Sequence, residues 1–283
     1  MSEPQTVFRP SGLPNRLGTP RARIGLIIPS MNTLSEPQFA HYCPNNVGIH
    51  IARLRMSGKW KRPFAELAAD IAAAAGSLAD AHVDLIVFHC TGASMREGPA
   101  GDVSVRAIIK DATGIEAITT GGAIVEALSA LEIKKLVLIS PYVQSNNDSE
   151  IAYLDQAGFS VLADVALGLN GSIEYIAVPP DGWVQIALDS ARSDADGYLL
   201  CCTNTTQIEA VTEIERALGR PVVNSNQAVM WACLDRLRVK LDIAGPLPGV
   251  GRLMYAKPSP VVPESADRDF ARAATKSGAG QGV

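Results

Sequence analysis

Short apolar runs alternate with amphipathic segments through most of this chain of 283 residues. Residues Arg23–Ser30 form a continuous apolar run that ends in Pro-Ser, which is typical of a strand buried on both faces of a parallel sheet. Residues Phe64–Ala81 are rich in alanine and keep their charges on one face, which predicts a helix. Strands that alternate with helices predict an α/β fold whose parallel sheets carry helices on both faces.

The order of these segments repeats in the second half of the chain. The predicted strands that correspond between the halves begin at Ile24, Ile49 and Val83 and at Leu136, Phe159 and Gly197. We therefore predict two pseudo-symmetric Rossmann-like (flavodoxin-like) lobes with parallel sheets, and an active site in the cleft between them. The N-terminal lobe is expected to comprise residues 22–118 plus 225–245, and the C-terminal lobe residues 119–224.

The two ends of the chain show no such periodicity. Residues 1–21 are rich in proline and arginine and are interpreted as a flexible leader. Residues 246–283 are dominated by Pro, Gly, Ser and Ala, and we expect them to form a poorly ordered tail.

The composition, 47% hydrophobic and 19% charged, is that of a globular enzyme with a substantial core. A formal net charge of −4 argues against a nucleic-acid partner, which requires a basic face. No apolar run is long enough to span a bilayer, so no membrane partner is expected. The N-terminus lacks the pattern of an export signal, and the predicted location is therefore the cytoplasm.

Two of the predicted strands end in cysteine, at Cys90 and at Cys201-Cys202, and pass at once into a turn rich in hydroxyl groups. A turn of small residues that leads into a helix offers backbone N–H groups, which can lower the pKa of a thiol and bind a carboxylate. Successive side chains of a strand point to opposite faces, so Cys202 is expected to face the cleft rather than Cys201. A buried structural thiol is the plainer interpretation of each cysteine.

Apart from the cysteine thiols, the sequence shows no motif for a reactive group. Five cysteines are an odd number in a chain without an export signal, which predicts free thiols, and Cys43 and Cys233 are interpreted as structural. The adjacent cysteines do not have zinc-ligand spacing and the four histidines form no ligand pattern, so we expect no metal. The sequence has no phosphate-binding loop and no serine nucleophile elbow, which predicts a reaction without a cofactor.

Several short motifs occur in a characteristic order between about residues 22 and 240. They are Pro29–Thr33 with Glu36, Cys90–Gly92, Ser140–Tyr142, Asn170, Cys202–Asn204 and Pro221–Ala228. Together they resemble the aspartate/glutamate racemase superfamily, and specifically its branch of maleate cis-trans isomerases and arylmalonate decarboxylases. Enzymes similar to the decarboxylase carry glycine where Cys90 stands, whereas isomerases and racemases keep both cysteines. The resemblance therefore implies isomerisation.

The resemblance also implies the roles of individual residues. Cys90 would add as a thiolate to the double bond of maleate or a similar small dicarboxylate, the single bond would rotate, and Cys202 would act as the acid/base partner during elimination. The groups implied to hold the two carboxylates are Asn32, Tyr142 and Asn170, together with the backbone N–H groups of Thr91, Gly92, Thr203 and Asn204. Family precedent further implies a homo-oligomer.

Two alternatives stay open at the level of sequence. The chain could be a racemase or an arylmalonate-type decarboxylase that acts on another small carboxylate. From a different class, it could be a small-acid binding or sensor protein whose thiols are redox-sensitive.

Overall fold

Eight parallel strands form two separate sheets in a computed structural model that describes residues 19–258. The strands are β1 (Ala22–Pro29), β2 (Val47–Leu54), β3 (Leu85–Phe88), β4 (Ala117–Thr119), β5 (Lys135–Ser140), β6 (Ser160–Ala166), β7 (Gly197–Leu200) and β8 (Val222–Asn224). The helices are α1 (Ser35–Tyr42), α2 (Phe64–Ala79), α3 (Thr91–Arg96), α4 (Gly98–Thr113), α5 (Thr120–Ala130), α6 (Gln144–Gln156), α7 (Ser172–Ala177), α8 (Pro180–Asp189), α9 (Gln207–Leu218), α10 (Ser225–Arg236) and α11 (Arg238–Leu241).

The two sheets have the same strand order, β2-β1-β3-β4 in the first and β6-β5-β7-β8 in the second. This confirms the prediction of an α/β fold with two pseudo-symmetric lobes. Helices pack against each sheet, such as α2 and α4 on the first and α6 and α9 on the second. The central strands β1, β3, β5 and β7 are almost wholly buried. The strands that precede the cysteines, β3 and β7, occupy equivalent interior positions.

The elements that sequence periodicity missed are the short ones. Strand β4 has three residues, and helices α3, α7 and α11 have six, six and four, so each is too short to show a period of its own. The longer elements lie close to their expected bounds: α2 ends at Ala79, two residues before the predicted Ala81, and β1 (Ala22–Pro29) lies within one residue of the predicted run Arg23–Ser30.

Part of the predicted tail is packed onto the second lobe. A 3₁₀ turn at Arg252–Tyr255 follows α11, and the side chains of Leu247, Leu253 and Met254 are buried in the core. The expectation of a poorly ordered tail is therefore wrong for residues 246–258, because three apolar side chains separated by a turn can be buried without any periodicity. The remainder of that tail and residues 1–18 of the predicted leader lie outside the described residues.

The boundary between the lobes stays a prediction. Helix α10 follows the last strand of the second sheet and packs against both α5, in the predicted C-terminal lobe, and α1, in the predicted N-terminal lobe, so its contacts do not assign residues 225–245 to either lobe. Among the described residues, no helix is long and apolar enough to cross a membrane.

Strand β7 depends on the absence of a side chain at its first residue. A Cβ added at Gly197 would lie 2.6 Å from Ile133 Cδ1 and 2.8 Å from the carbonyl oxygen of Pro221. We expect Gly197→Ala to lower the free energy of unfolding by about 1–3 kcal/mol, because the backbone that leads into the neighbouring strand β8 must move. Urea unfolding measures this, with Gly76→Ala as control: that position in α2 has open space, and alanine there is expected to stabilise by about 0.5–1 kcal/mol. Equal effects of the two substitutions would contradict the prediction.

Candidate active site

A cleft of about 300 Å³ lies at the carboxyl ends of the strands, between the two lobes. Eight of the nine residues implied by the resemblance line it: Asn32, Cys90, Gly92, Tyr142, Asn170, Cys202, Thr203 and Asn204. The exception is Thr91, whose side chain is buried and donates a hydrogen bond to Ser225 Oγ at 2.9 Å. The cleft therefore brings together residues that are up to 172 positions apart (Asn32 and Asn204).

Cys90 lies two residues beyond β3, at the residue that caps the start of α3. Burial raises the pKa of its thiol to about 11, although the Ala93 N–H and the charge of Arg96 favour the thiolate. The preceding residue, His89, is not a base for this thiol, because burial lowers its pKa to about 3 and its Nδ1 contacts Thr120 Oγ1 at 3.1 Å. The lowered thiol pKa that the turn suggested is thus outweighed by desolvation.

Cys202 occupies the equivalent place beyond β7, in a backbone conformation that side chains rarely adopt. Its φ of 126° lies in a region that favours glycine, and such strain persists where the surroundings hold it. Burial raises the pKa of the Cys202 thiol to about 12, against hydrogen bonds from the Tyr142 hydroxyl and from the Asn204 N–H at 3.3 Å from Sγ. These two donors are aimed at the sulfur and would stabilise it as a thiolate.

Cys201 points away from the cleft into a buried polar layer. Its side chain is fully buried beside Glu150 and Ser225, while Cys202 lines the cleft, as the alternation of side chains on a strand predicts. Ser225 Oγ accepts hydrogen bonds from the Thr91 hydroxyl and, at 3.1 Å, from the Cys202 N–H. One serine at the start of α10 thus links the turns that follow both cleft cysteines.

Glu150 on α6 lies in that layer with its carboxyl group buried beneath the thiols. No N–H or O–H group among the described residues donates to either carboxyl oxygen, and the side chain is 1% exposed. Desolvation raises the pKa of Glu150 to about 8, although contact with the Cys201 thiol lowers it. Glu150 is therefore neutral at neutral pH, and its ionisation would disfavour the thiolates of Cys90 and Cys202.

This burial makes stability depend on pH. Because the pKa of Glu150 is near its ordinary value of 4.5 in the unfolded chain and near 8 in the folded chain, folding takes up a proton between these values and stability falls as pH rises across that window. The free energy of unfolding of the wild type is expected to fall by up to about 1.4 kcal/mol per pH unit across this window. Glu150→Gln is expected to abolish this fall, because glutamine does not ionise. Urea unfolding at several pH values within the window checks this against Glu66→Gln, an exposed carboxyl group in the first turn of α2. Parallel pH profiles for the wild type and Glu150→Gln would refute it.

Asn32 connects the two lobes across the cleft. Its Nδ2 donates to Ser35 Oγ at 2.9 Å and to the carbonyl and hydroxyl oxygens of Thr203, both at 3.1 Å. Both N–H groups of this amide are engaged, so a bond from Asn32 to a carboxylate would compete with them. The direct role implied by the resemblance stays a prediction, and the structure adds a second role, which is to hold the turn after Cys202.

Asn204 connects the second lobe to the first, and its side-chain N–H groups have no partner among the described residues. Its Oδ1 accepts from the backbone N–H groups of Thr33 at 2.8 Å and Leu34 at 3.1 Å. Its Nδ2 is buried and has no partner among the described residues, although Asn204 lines the cleft. A buried amide without a partner is uncommon, and a substrate carboxylate is the type of group that would satisfy it.

Tyr142 and Asn170 line the cleft from the second lobe. Tyr142 is buried, and its ring meets that of Tyr175 edge to face, with 5.6 Å between centroids. Asn170 is exposed on the loop between β6 and α7, where its N–H donates to Glu174 at 2.7 Å and its side chain has no hydrogen bond within the described chain. Both therefore present side-chain donors to the cleft.

Sequence reasoning missed several residues of the site. Lys61 and Arg96 line the cleft, and no Asp or Glu does among the described residues. Arg96 is the last residue of the short helix that Cys90 begins, a helix anticipated only in outline, whereas Ser225 lies within a motif that the resemblance already used. No group of three or more His, Cys, Asp and Glu side chains that could hold a metal is found within residues 19–258.

Comparison with known proteins gives a consistent family match. The arylmalonate decarboxylase family model matches residues 24–254. The maleate isomerase of Nocardia farcinica is 28% identical over 242 residues, which is 82% of this chain and 95% of that protein.

Two solved structures share the architecture. The maleate isomerase of Pseudomonas putida S16, a variant crystallised with maleate, superposes with a TM-score of 0.73 at 25% identity, covering 84% of this chain and 98% of that one. A cysteine-to-serine variant of the Nocardia farcinica maleate cis-trans isomerase, which carries a covalently bound succinylcysteine intermediate, superposes with a TM-score of 0.72 at 26% identity, covering 83% and 98%.

Proposed function

Because the chain belongs to the arylmalonate decarboxylase family and keeps two cysteines in its cleft, we propose that it is a cofactor-independent cis-trans isomerase of maleate or a similar small dicarboxylate. The observation that carries this proposal is that Cys90 and Cys202, from equivalent turns of the two lobes, line one cleft. The similar enzymes whose names specify maleate, and the succinylcysteine found in one of them, support it.

In the proposed reaction, Cys90 is the nucleophile. Its thiolate forms a C–S bond to one carbon of the double bond, and the π electron pair moves to the other carbon, which takes a proton from the Cys202 thiol. The former double bond is now single and rotates. Cys202, now a thiolate, removes the proton again, the π bond re-forms in the trans geometry, and the C–S bond breaks to return the Cys90 thiolate.

The cycle begins with Cys90 as a thiolate and Cys202 as a thiol, so the two side chains together carry one proton. Burial raises the pKa of both thiols, so formation of the reactive thiolate is an unfavourable step in the folded protein at neutral pH. The donors from Tyr142 and Asn204 stabilise negative charge on Cys202 at the stage when that residue has given up its proton. The helix start and Arg96 do the same for Cys90.

The carboxylates of the substrate need donors near these sulfurs. Asn204 Nδ2 and the Asn170 side chain are placed to supply them, together with backbone N–H groups of the turns at Gly92 and Thr203. The Tyr142 hydroxyl has one O–H, which donates to Cys202, so it would bind a carboxylate only in exchange for that bond. Neutral donors suit this task because they stabilise the charge that spreads into a carboxylate as the adjacent carbon becomes electron-rich.

The direct test is to incubate the purified protein with maleate and to follow fumarate by proton NMR. We expect conversion without added metal or cofactor. Absence of fumarate at a high enzyme concentration would refute maleate as the substrate.

The second candidate is a racemase or an arylmalonate-type decarboxylase of another small carboxylate, and the name of the matching family model supports the decarboxylase. Release of CO2 from an arylmalonate, or entry of solvent deuterium at the α carbon of a chiral acid, distinguishes these reactions from isomerisation. A small-acid binding or sensor protein would instead bind the acid without turnover.

Location and assembly are further parts of the proposal. We place the reaction in the cytoplasm, the location that the sequence analysis predicts, and we expect a homo-oligomer, as the sequence resemblance implies. Cell fractionation and light scattering of the purified protein measure these two properties directly.

A further inference from the structure

The cleft carries two cationic side chains in addition to the neutral donors assigned above to the two carboxylates of a small dicarboxylate. Neutral donors surround the two thiols, yet Lys61 and Arg96 also line the cleft with no Asp or Glu beside them among the described lining residues. The cleft volume of about 300 Å³ is at the low end of sites that hold drug-sized ligands, and a small diacid would leave part of it unfilled.

Arg96 is held in place while several of its donors stay available. Its guanidinium lies 5.6 Å from the ring centroid of Phe64, and its Nη2 donates to the carbonyl oxygen of Arg62 at 2.5 Å. Its carboxylate partner Glu97 is at 3.4 Å and also accepts the Phe64 N–H at 2.8 Å. A guanidinium has five N–H donors, and Nε and Nη1 of Arg96 make no hydrogen bond within the described chain.

Lys61 is distinguished from the cations next to it by its lack of a partner. Lys59 and Arg55 lie against the ring of Trp60, at 5.2 and 4.8 Å from its centroid, and Arg62 pairs with Asp70 at 2.8 Å. Lys61 is exposed, lines the cleft and has no ion pair among the described residues. Of these four described cations, Lys61 lines the cleft without a partner, whereas Arg55 and Lys59 contact Trp60 and Arg62 pairs with Asp70.

We infer that Arg96 and Lys61 form a subsite for a third anionic group, so that the preferred substrate is a cis-butenedioate core bearing a further carboxylate on a short branch. This inference rests on the proposed function, since it extends the substrate of the same site. A fixed guanidinium recognises a carboxylate through paired hydrogen bonds, and a flexible ammonium adds charge at the mouth of the cleft.

The experiment uses saturated acids that cannot react, so that binding is separated from chemistry. We expect wild-type protein to bind tricarballylate on the order of tenfold more tightly than succinate in calorimetric titrations, because a hydrogen bond between charged groups contributes that much. Lys61→Gln is expected to reduce this ratio and to change succinate binding little, and Arg96→Gln, which also removes the charge beside Cys90, is expected to reduce the ratio. Arg62→Gln and Lys59→Gln, which alter cations of the same segment outside the cleft, should leave the ratio unchanged.

Turnover provides the second readout. We expect cis-aconitate, which has the third carboxylate, to be isomerised with a higher kcat/KM than maleate.

Lys61→Gln, at an exposed position that tolerates substitution, keeps the test valid if Arg96→Gln does not fold. Equal affinity of the wild type for tricarballylate and succinate, or an unchanged ratio in Lys61→Gln and a folded Arg96→Gln, would overturn the subsite. A ratio that is lost in these variants without isomerisation of either alkene supports the subsite and refutes the proposed reaction.

Discussion

Substitution of Cys90 by serine is expected to lower kcat/KM for maleate isomerisation by about a thousandfold or more. A hydroxyl group is a much weaker nucleophile than a thiolate at neutral pH, and no neighbouring base compensates, since burial lowers the pKa of His89 to about 3 and makes it a weak base. Initial rates of fumarate formation, measured by absorbance or NMR, give the ratio directly.

The matched control is Cys43→Ala. Cys43 is also a buried thiol whose pKa burial raises to about 12, but it lies at the end of α1 and does not line the cleft. We expect Cys43→Ala to retain activity within a few-fold of the wild type, with a stability loss of about 1 kcal/mol. If Cys90→Ser keeps the activity of Cys43→Ala, Cys90 is not the nucleophile and a binding or sensor function becomes the better hypothesis.

Substitution of Cys202 by serine is expected to stop turnover and to trap the substrate on Cys90. In Cys202→Ser the carbon that Cys202 would protonate can take its proton from water or from the serine hydroxyl, so addition of the Cys90 thiolate still goes to completion, whereas elimination needs a base at that position to remove the proton from carbon. The trapped species is a succinyl thioether, the type of adduct found in the cysteine-to-serine variant of the Nocardia farcinica enzyme. Intact-protein mass spectrometry after incubation with maleate should show an increase equal to the mass of maleic acid.

Peptide mapping locates the adduct. We expect it on the peptide that contains Cys90 in Cys202→Ser, and no adduct in Cys90→Ser or in the double variant. An adduct on the peptide of Cys201 or Cys233 would show nonspecific alkylation by maleate, and full activity of Cys202→Ser would exclude Cys202 as the acid/base partner. The paired substitutions therefore assign the two thiols to different steps.

The fold was predictable from sequence because its signals are local. Apolar runs such as Arg23–Ser30 are buried over their whole length in a parallel sheet, and their repetition predicted two equivalent lobes. Elements such as β4 were missed because three residues carry no period, and the packing of Leu253 was missed because an irregular segment gives no pattern to follow.

The site was predictable only in part. Two strands that end in cysteine at equivalent positions predicted that Cys90 and Cys202 would meet, because the carboxyl ends of parallel strands lie at one edge of each sheet. The resemblance predicted which polar residues line the cleft, but it could not show that the side-chain amide of Asn32 donates its hydrogen bonds to Ser35 and Thr203.

The sequence by itself determined the lobes, their order of elements and the two thiols, since each depends on neighbouring residues along the chain. The tertiary structure decided the electrostatics: the upward shifts of both thiol pKa values, the neutral Glu150 beneath them and the cations Arg96 and Lys61 at the cleft. These properties depend on desolvation and on charges brought together from distant segments, and both exist only once the chain has folded.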